Sequence, residues 1–228
     1  MNRKLSIKGK CLFCGKEMTR GGLGKHLHSC PQRQEAMTAA DSGKAGQPQA
    51  IYHLLVQDAH SSDFWLHLEV NGQAKLKDVD RYLRAIWLEC CGHLSRFSIG
   101  GWSGDEIAMS RKVEAAFSPG TSLTHIYDFG TSSETKIKAV AVREGLPLTR
   151  HPIYLMARND MPDAVCDECG EAAGWYCVDC LVEQGEWITL CENHRGDHDH
   201  NDYGGPSPLI NSPRLGMCGY DGPAEPPY

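Results

Sequence analysis

Eight of the eleven cysteines stand in two arrays with metal-ligand spacing, one near each end of the chain. Segments this short bury too little apolar surface to fold alone, so an ion must hold them. Cys11, Cys14, His26 and Cys30 read C-x2-C-x11-H-x3-C. Two cysteines separated by two residues fit a tight turn that aims both sulfurs at one point, and Gly15 suits such a turn. His26 and Cys30, four residues apart, share one face of a short helix, whereas the rival ligand His28 is offset by two from Cys30 and faces away. Four ligands of this kind predict a tetrahedral zinc site.

The second array reads C-x2-C-x7-C-x2-C-x10-C-x2-H-x3-H-x-H from Cys166 to His200. Eight ligands in four pairs predict two cross-braced zinc ions. Cys166, Cys169, Cys191 and His194 would hold one, while Cys177, Cys180, His198 and His200 would hold the other. The last pair lies in a DHDH run that also reads as a solvated tail, with Cys218 as the substitute ligand. Three Zn2+ ions in all are expected, each structural. A catalytic ion keeps an open position for water and prefers His or carboxylate ligands, and neither HEXXH nor the H-x-E signature of zinc deaminases is present. No residue is assigned a catalytic role.

Charge divides the chain. Residues 1–33 carry eight Lys/Arg against Glu17 alone, a balance of +7, whereas residues 161–228 carry Arg195 and Arg214 against thirteen carboxylates, a balance of −11. A basic end can meet phosphate and an acidic end of that density is repelled by it. Lys16, Arg20, Lys25 and Arg33 are the candidate phosphate contacts, and with Phe13 the only nearby aromatic, binding would be directed at the nucleic-acid backbone. No apolar run approaches a membrane span and no secretory signal opens the chain, so an intracellular, cytoplasmic protein without membrane contact is expected. In that reducing compartment, paired cysteines read as thiolate ligands.

Between the arrays, residues 34–50 are rich in Gln, Ala, Gly and Ser and predict a flexible linker, with a helical start over 32–40. Residues 51–57 and the alternating Phe64, Leu66, Leu68 and Val70 predict a hairpin. Val79, Leu83, Ile86, Trp87 and Cys90 recur at helical spacing, predicting one principal helix over 77–91 that stops at Gly92. Strands are expected at 94–99, 124–129, 135–143 and 153–157. The fold class that follows is α+β: a central β-sheet packed on one principal helix, flanked by two small zinc-stabilised modules. The expected domains are a basic finger (1–33), a linker (34–50), a central domain (51–160) and an acidic module with tail (161–228).

Three resemblances accompany this reading. Residues 11–31 resemble small Cys-Cys-His-Cys zinc fingers, which occur in nucleic-acid and protein binders. The spacing from Cys166 to His200 resembles B-box modules, which are interaction domains. The segments YHLLVQDAHSSDFWLHLEV, LKDVDRYLRAIWLECCGHLSRFSI and HIYDFGTSSETKI, with the later LINSPRLGMCGYDG, resemble the insertion-element passenger family named for the third open reading frame of a root-inducing plasmid. That resemblance implies strands packed on one helix and an association with mobile elements, some members carrying a resolvase-like name. Members commonly follow YDFG with an acidic residue, Trp and His, whereas Thr131, Ser132, Ser133 and Glu134 stand here. Asp128 and Gly130 read as hairpin geometry, and His53, His60, His67 and His125 as too scattered for a site.

The expected function is a zinc-binding adaptor or regulator rather than an enzyme. Its basic finger would meet nucleic acid or an acidic surface, and the remainder would meet a protein partner. No small-molecule substrate is identified. Two alternatives stay open: an enzyme acting on nucleic acid, for which Asp105, Glu106 and Asp128 would have to converge, and a purely structural interaction module.

Overall fold

A computed structural model of the chain describes residues 7–43, 46–88, 91–200, 202–215, 220, 222 and 225. Its body is a nine-stranded antiparallel sheet. Two strands come from the N-terminal segment, β1 (Lys8–Cys11) and β2 (Glu17–Thr19), and are followed by helices α1 (Arg20–Ser29) and α2 (Pro31–Gly43). The central segment supplies β3 (Gln49–Asp58), β4 (Trp65–Asn71), helix α3 (Leu76–Leu83), β5 (Ser95–Ile99), β6 (Asp105–Ile107), helix α4 (Val113–Ala116), β7 (Ser122–Tyr127), β8 (Ser133–Gly145) and β9 (Ile153–Asn159). The sheet order is β2-β1-β9-β4-β3-β8-β7-β5-β6. A separate small sheet joins β10 (Trp175–Tyr176) to β11 (Thr189–Leu190) on one side and β12 (Ser207–Pro208) on the other. The α+β, mostly sheet architecture agrees with the expected class.

Strand alternation decides which face meets which partner. Leu54 and Val56 of β3, with Leu66, Leu68 and Val70 of β4, join Val79, Leu83, Ile86 and Trp87 in the main core. The opposite face presents Leu55 and Trp65, and these pack with Leu23 and Leu27 of α1 and with Cys11 and Cys30. α3 forms because its apolar residues recur on one side while the Asp78 carboxylate accepts the Lys75 N–H at 2.8 Å, satisfying an orphan donor of the first turn. It continues as a π-helical turn over Arg84–Leu88, so the expected helix over 77–91 is helical through Leu88; Cys90 lies outside the described residues. Gly92 adopts φ +75°, the left-handed conformation suited to a helix stop. Among the described residues no helix is long and apolar enough to cross a membrane.

The expected boundaries differ from the fold in three places. β1 is hydrogen-bonded to β9, with Gly9 opposite Asn159 and Cys11 opposite Ala157, so the finger is the edge of the main sheet and not a detached unit. Helix α2 contains the expected helical start over 32–40 and runs on to Gly43 through stretches expected as linker, fixed by Arg33, whose Nη2 lies 3.0 Å from Glu69 Oε2, and by Asp41, which accepts the Leu146 N–H at 2.7 Å. The end of the acidic segment also returns to the central core. Ser212 Oγ donates to the Trp87 carbonyl, Asn211 exchanges hydrogen bonds with Asn159, and Arg214, 1% exposed, reaches Asp128 at 3.1 Å. Composition marked these stretches as polar or small. It carried no sign of the long-range partners that order them.

Close approach of β1 and β9 requires a residue without a side chain at Gly9. A Cβ there would lie 2.0 Å from the Arg158 carbonyl oxygen and 2.6 Å from the Trp65 ring. Gly9→Ala is expected to destabilise the protein by about 1–3 kcal/mol, the usual cost of forcing extra volume into a packed site. Thermal denaturation followed by circular dichroism measures it, and an unchanged midpoint would show that β1 does not dock as described.

Candidate metal centres

Three groups of four side chains bring their ligand atoms together, all four lying within 4.8 Å of one another in each group. They are Cys11, Cys14, His26 and Cys30; Cys166, Cys169, Cys191 and His194; and Cys177, Cys180, His198 and His200. These are the sets expected from spacing, including the cross-braced pairing of the second array. His28 stays outside the first set, as its helical offset requires, and Cys218 lies outside the described residues.

The first group is built on the end of β1. After Cys11 the chain makes a tight turn in which the Gly15 N–H donates to the Cys11 carbonyl at 2.8 Å, with Gly15 at φ +74°. α1 supplies His26, and Cys30 follows its last residue. α1 is rich in glycine and a poor intrinsic helix, so its cap and its packing carry it. Thr19 Oγ1 accepts the Gly22 N–H at 3.3 Å, and Leu23 and Leu27 are fully buried on the sheet. Cys14 Sγ stands 3.1 Å from His26 Nε2, and Cys11 Sγ stands 4.0 Å from Cys30 Sγ.

The same turn recurs at the second group, where Gly170, at φ +76°, donates its N–H to the Cys166 carbonyl at 2.8 Å. Antiparallel pairing of β10 with β11 then separates the two C-terminal groups. Cys177 leaves β10 at one end of the ribbon and Cys191 leaves β11 at the other, so each group sits at its own end. Cys169 Sγ lies 3.8 Å from Cys191 Sγ, and Cys191 Sγ lies 3.3 Å from His194 Nδ1. In the third group Cys180 Sγ lies 3.4 Å from His198 Nε2 and 3.2 Å from His200 Nδ1. The DHDH run is held there because buried Asp179 accepts the backbone N–H of Asp202 at 2.9 Å, just beyond His200.

Thiol acidities differ among the groups. Burial pushes Cys11 and Cys180 up to about 11, and the neighbouring Cys177 adds to the effect at Cys180. At Cys166 desolvation acts in the same direction but is outweighed by hydrogen bonds from the Cys191, Cys169 and Glu168 backbone, which draw the thiol down to about 6. Each group pairs a raised thiol, Cys11, Cys169 or Cys180, with other ligands, so a cation entering any of them must displace a proton at neutral pH.

Other predicted residues fall elsewhere. Lys16 and Lys25 are exposed and Arg20 is half-buried. Arg33 is only 7% exposed, paired with Glu69 and donating from Nη1 to the Leu27 carbonyl at 2.9 Å, so it is withdrawn from the open surface that a nucleic-acid backbone would meet. Asp128 takes φ +64° and accepts the Gly130 and Thr131 N–H groups, confirming hairpin geometry. Desolvation at Asp128 is outweighed by these bonds and by Arg214, which hold its carboxyl below the usual range. Among the described residues Asp105, Glu106 and Asp128 form no metal-competent group.

Two histidine pairings escaped the sequence reading. His53 Nε2 lies 2.8 Å from His67 Nδ1 on the outer sheet face, and His125 Nε2 lies 2.7 Å from Asp80 Oδ1 beneath Ser95. The first pair was detectable in principle. A β3–β4 hairpin register that sets Leu55 opposite His67 puts His53 and His67 on one face, two residues apart diagonally.

No family model matches the chain, and no curated protein matches it. Among solved structures it is similar to a protein of unknown function from Methanosarcina mazei, at 17% identity and a TM-score of 0.40, over 54% of this chain and 75% of that one.

The interleaving of the two C-terminal groups makes a direct prediction. Cys177→Ser removes a ligand from one group only, but both groups share the β10–β11 ribbon and little else. Elemental analysis of the variant is expected to show about two fewer ions per chain than the parent. A loss of one ion, with the other retained at parental affinity, would mean that the groups fold independently.

Proposed function

We propose that this protein is a zinc-binding adaptor or regulator whose three ions are structural. The observation that supports zinc is the donor set together with its spacing: every group holds two or three thiols completed by imidazole, with no carboxylate. Around an ion with bonds of about 2.3 Å to sulfur and 2.0–2.1 Å to nitrogen, tetrahedral edges run roughly 3.3–3.8 Å. The ligand contacts of 3.1–4.0 Å fall around that range and far beyond the ~2.05 Å of a disulfide. Four protein ligands per ion leave no open position for substrate or water, which favours a structural role over hydrolysis.

Partner contact is inferred from the surface. Lys16, Arg20 and Lys25 remain on the basic N-terminal module, suited to nucleic-acid phosphate or an acidic protein face. The acidic module exposes Trp187, stacked 4.7 Å from Tyr176, together with Val165, Val182 and Tyr203. Apolar side chains left in water on a small, strongly charged module suit a protein partner. Association with a mobile element, implied by the passenger-family resemblance, is part of this proposal, and a cytoplasmic location follows from its thiolate chemistry.

Two measurements test the reading. Protein purified under reducing conditions without chelator is expected to carry close to three zinc ions per chain, and fewer than one would remove its basis. If Lys16, Arg20 and Lys25 each meet one phosphate, log affinity for nucleic acid should fall with log salt at a slope of roughly −2 to −3, with weak sequence discrimination. Replacing Lys16 and Lys25 with Ala should flatten that slope. An unchanged slope would move nucleic-acid contact off the finger, and absence of binding at low salt would leave an acidic protein surface as its partner.

A further inference from the structure

Between α1 and the outer face of the sheet runs a cleft that metal binding does not use. Its wide part, about 500 Å³, is bordered by Gly21, Lys25 and His28 of α1 and by His53 of β3. A narrower part of about 150 Å³ continues past Arg33 of α2 and Arg143 of β8. The β8 side depends on a register shift. His53 pairs with Ala141 but Leu54 pairs with Ala139, so Val140 bulges and turns Arg143 to the outer face. There Arg143 Nη2 lies 2.6 Å from Glu69 Oε1, and Arg33 holds the other carboxylate oxygen.

Charge in the cleft is positive. One carboxylate, Glu69, answers two guanidinium groups, and Lys25 adds an exposed ammonium at the mouth. Arg33 Nε is buried without a hydrogen-bond partner. Gly21, in the first turn of α1, lines the cleft, and the N–H groups of a first turn have no intrahelical partner.

The tautomers of the histidine pair can be worked out from hydrogen-bond roles alone. His67 Nε2 lies 3.2 Å from the Arg20 carbonyl, which can only accept, so that nitrogen carries the proton. The bare Nδ1 of His67 then accepts from His53 Nε2. His53 has spent its one proton, and its Nδ1 keeps a lone pair with no partner among the described residues, on a ring 6% exposed that borders both parts of the cleft. Burial supports the neutral state of both rings, pushing His53 down to about 3 and His67 to about 4.

A cationic cleft with one inward acceptor selects an anion that also carries a proton. We propose that the cleft binds phosphate as the inorganic ion or a monoester, its charged oxygens meeting Lys25, Arg33 Nε and the α1 N-terminus while its P–O–H donates to His53 Nδ1. Sulfate and phosphodiesters satisfy the cations but leave the lone pair against an oxygen that has no hydrogen. The site shares Lys25 with the proposed nucleic-acid contact but disfavours phosphodiesters, so its test with small anions does not depend on that contact.

The test is isothermal titration of the metal-loaded, full-length protein with sodium phosphate and with sodium sulfate at matched ionic strength and neutral pH. Phosphate should bind once per chain with Kd of about 1 mM or tighter. Both neutral-pH ions of inorganic phosphate keep a P–O–H and need take up no proton, whereas a monoester is mostly dianionic there, so its binding should take up a proton, read from the heat in buffers of different ionisation enthalpy. Sulfate should bind at least about tenfold more weakly, since a buried acceptor would be left unpaired. His53→Leu should erase the preference for phosphate, and Lys25→Ala, at an exposed position that leaves the fold intact, should weaken phosphate about fivefold. An oligonucleotide with a 5′-phosphate, compared with its unphosphorylated form, separates a nucleic-acid end from a free phosphate: tighter binding of the first assigns the source to the end, and equal binding of both assigns it to the small ion. Absence of saturable phosphate binding would overturn the proposal, as would equal affinity for phosphate and sulfate that Lys25→Ala leaves unchanged.

Discussion

Glu69 is 3% exposed on the outer face of the main sheet, and it is accompanied there by Arg33 and Arg143. A carboxylate at such depth needs charged partners, because removing one partner of a buried ion pair costs about 3–5 kcal/mol. Much of the architecture follows from that need. Arg33 comes from α2, so the segment after the finger is tied across the sheet. Arg143 comes from β8 and reaches the outer face only because the strand bulges at Val140. Three chain segments far apart in sequence converge on one anion. The finger, the sheet and the cleft between them consequently form a single packed body.

Local features were legible in the sequence because their determinants are local. Ligand spacing reports turn geometry, and all twelve cysteine and histidine ligands meet in the three expected sets. Strand alternation at Leu54, Val56, Leu66 and Leu68 marked the face that packs on α3, and the stop at Gly92 marked the end of that helix. What stayed hidden was long-range. Residues 34–50 read as a linker because Gln, Ala and Ser carry no apolar stripe, yet α2 is fixed by Arg33 and Asp41, whose partners lie 36 and 105 residues away. Arg33 read as an exposed nucleic-acid contact for the same reason: a positive charge in a sequence does not disclose that a carboxylate awaits it. The bulge in β8 was equally invisible, since one inserted residue leaves the alternation on either side intact.

The acidic segment illustrates a different limit. Its net charge of −11 over 161–228 suggested a self-contained solvated module, and its two metal groups do form around their own ribbon. Yet Ser212 and Arg214 are buried in the central body, with Arg214 lying 5.1 Å over the Tyr127 ring and bound to Asp128. Asp128 sits in the left-handed region, so its turn is strained for a residue with a side chain, and the Arg214 contact offsets part of that cost. The turn is held by the chain's own distant arginine.

Dependence on metal differs between the two ends, and the difference lies in what each group packs against. Cys11 and Cys30 share a cluster with Leu23, Leu27, Trp65, Met156 and Ala157, so the finger borrows apolar area from β4 and β9 and has hydrogen-bonded strand edges besides. The buried cluster of the acidic module consists of Cys166, Cys177, Cys180, Cys191 and Leu190. Four of those five side chains are ligands. Without an ion the finger would keep most of its buried area, whereas the acidic module would keep a short three-stranded sheet, Tyr176, Leu190 and the docked Ser212 and Arg214. An ion would therefore reinforce a packed unit at one end and contribute a larger share of the folding free energy at the other. Were the proposed ions structural, the apolar and acidic surface proposed for partner contact would depend on them more than the finger does.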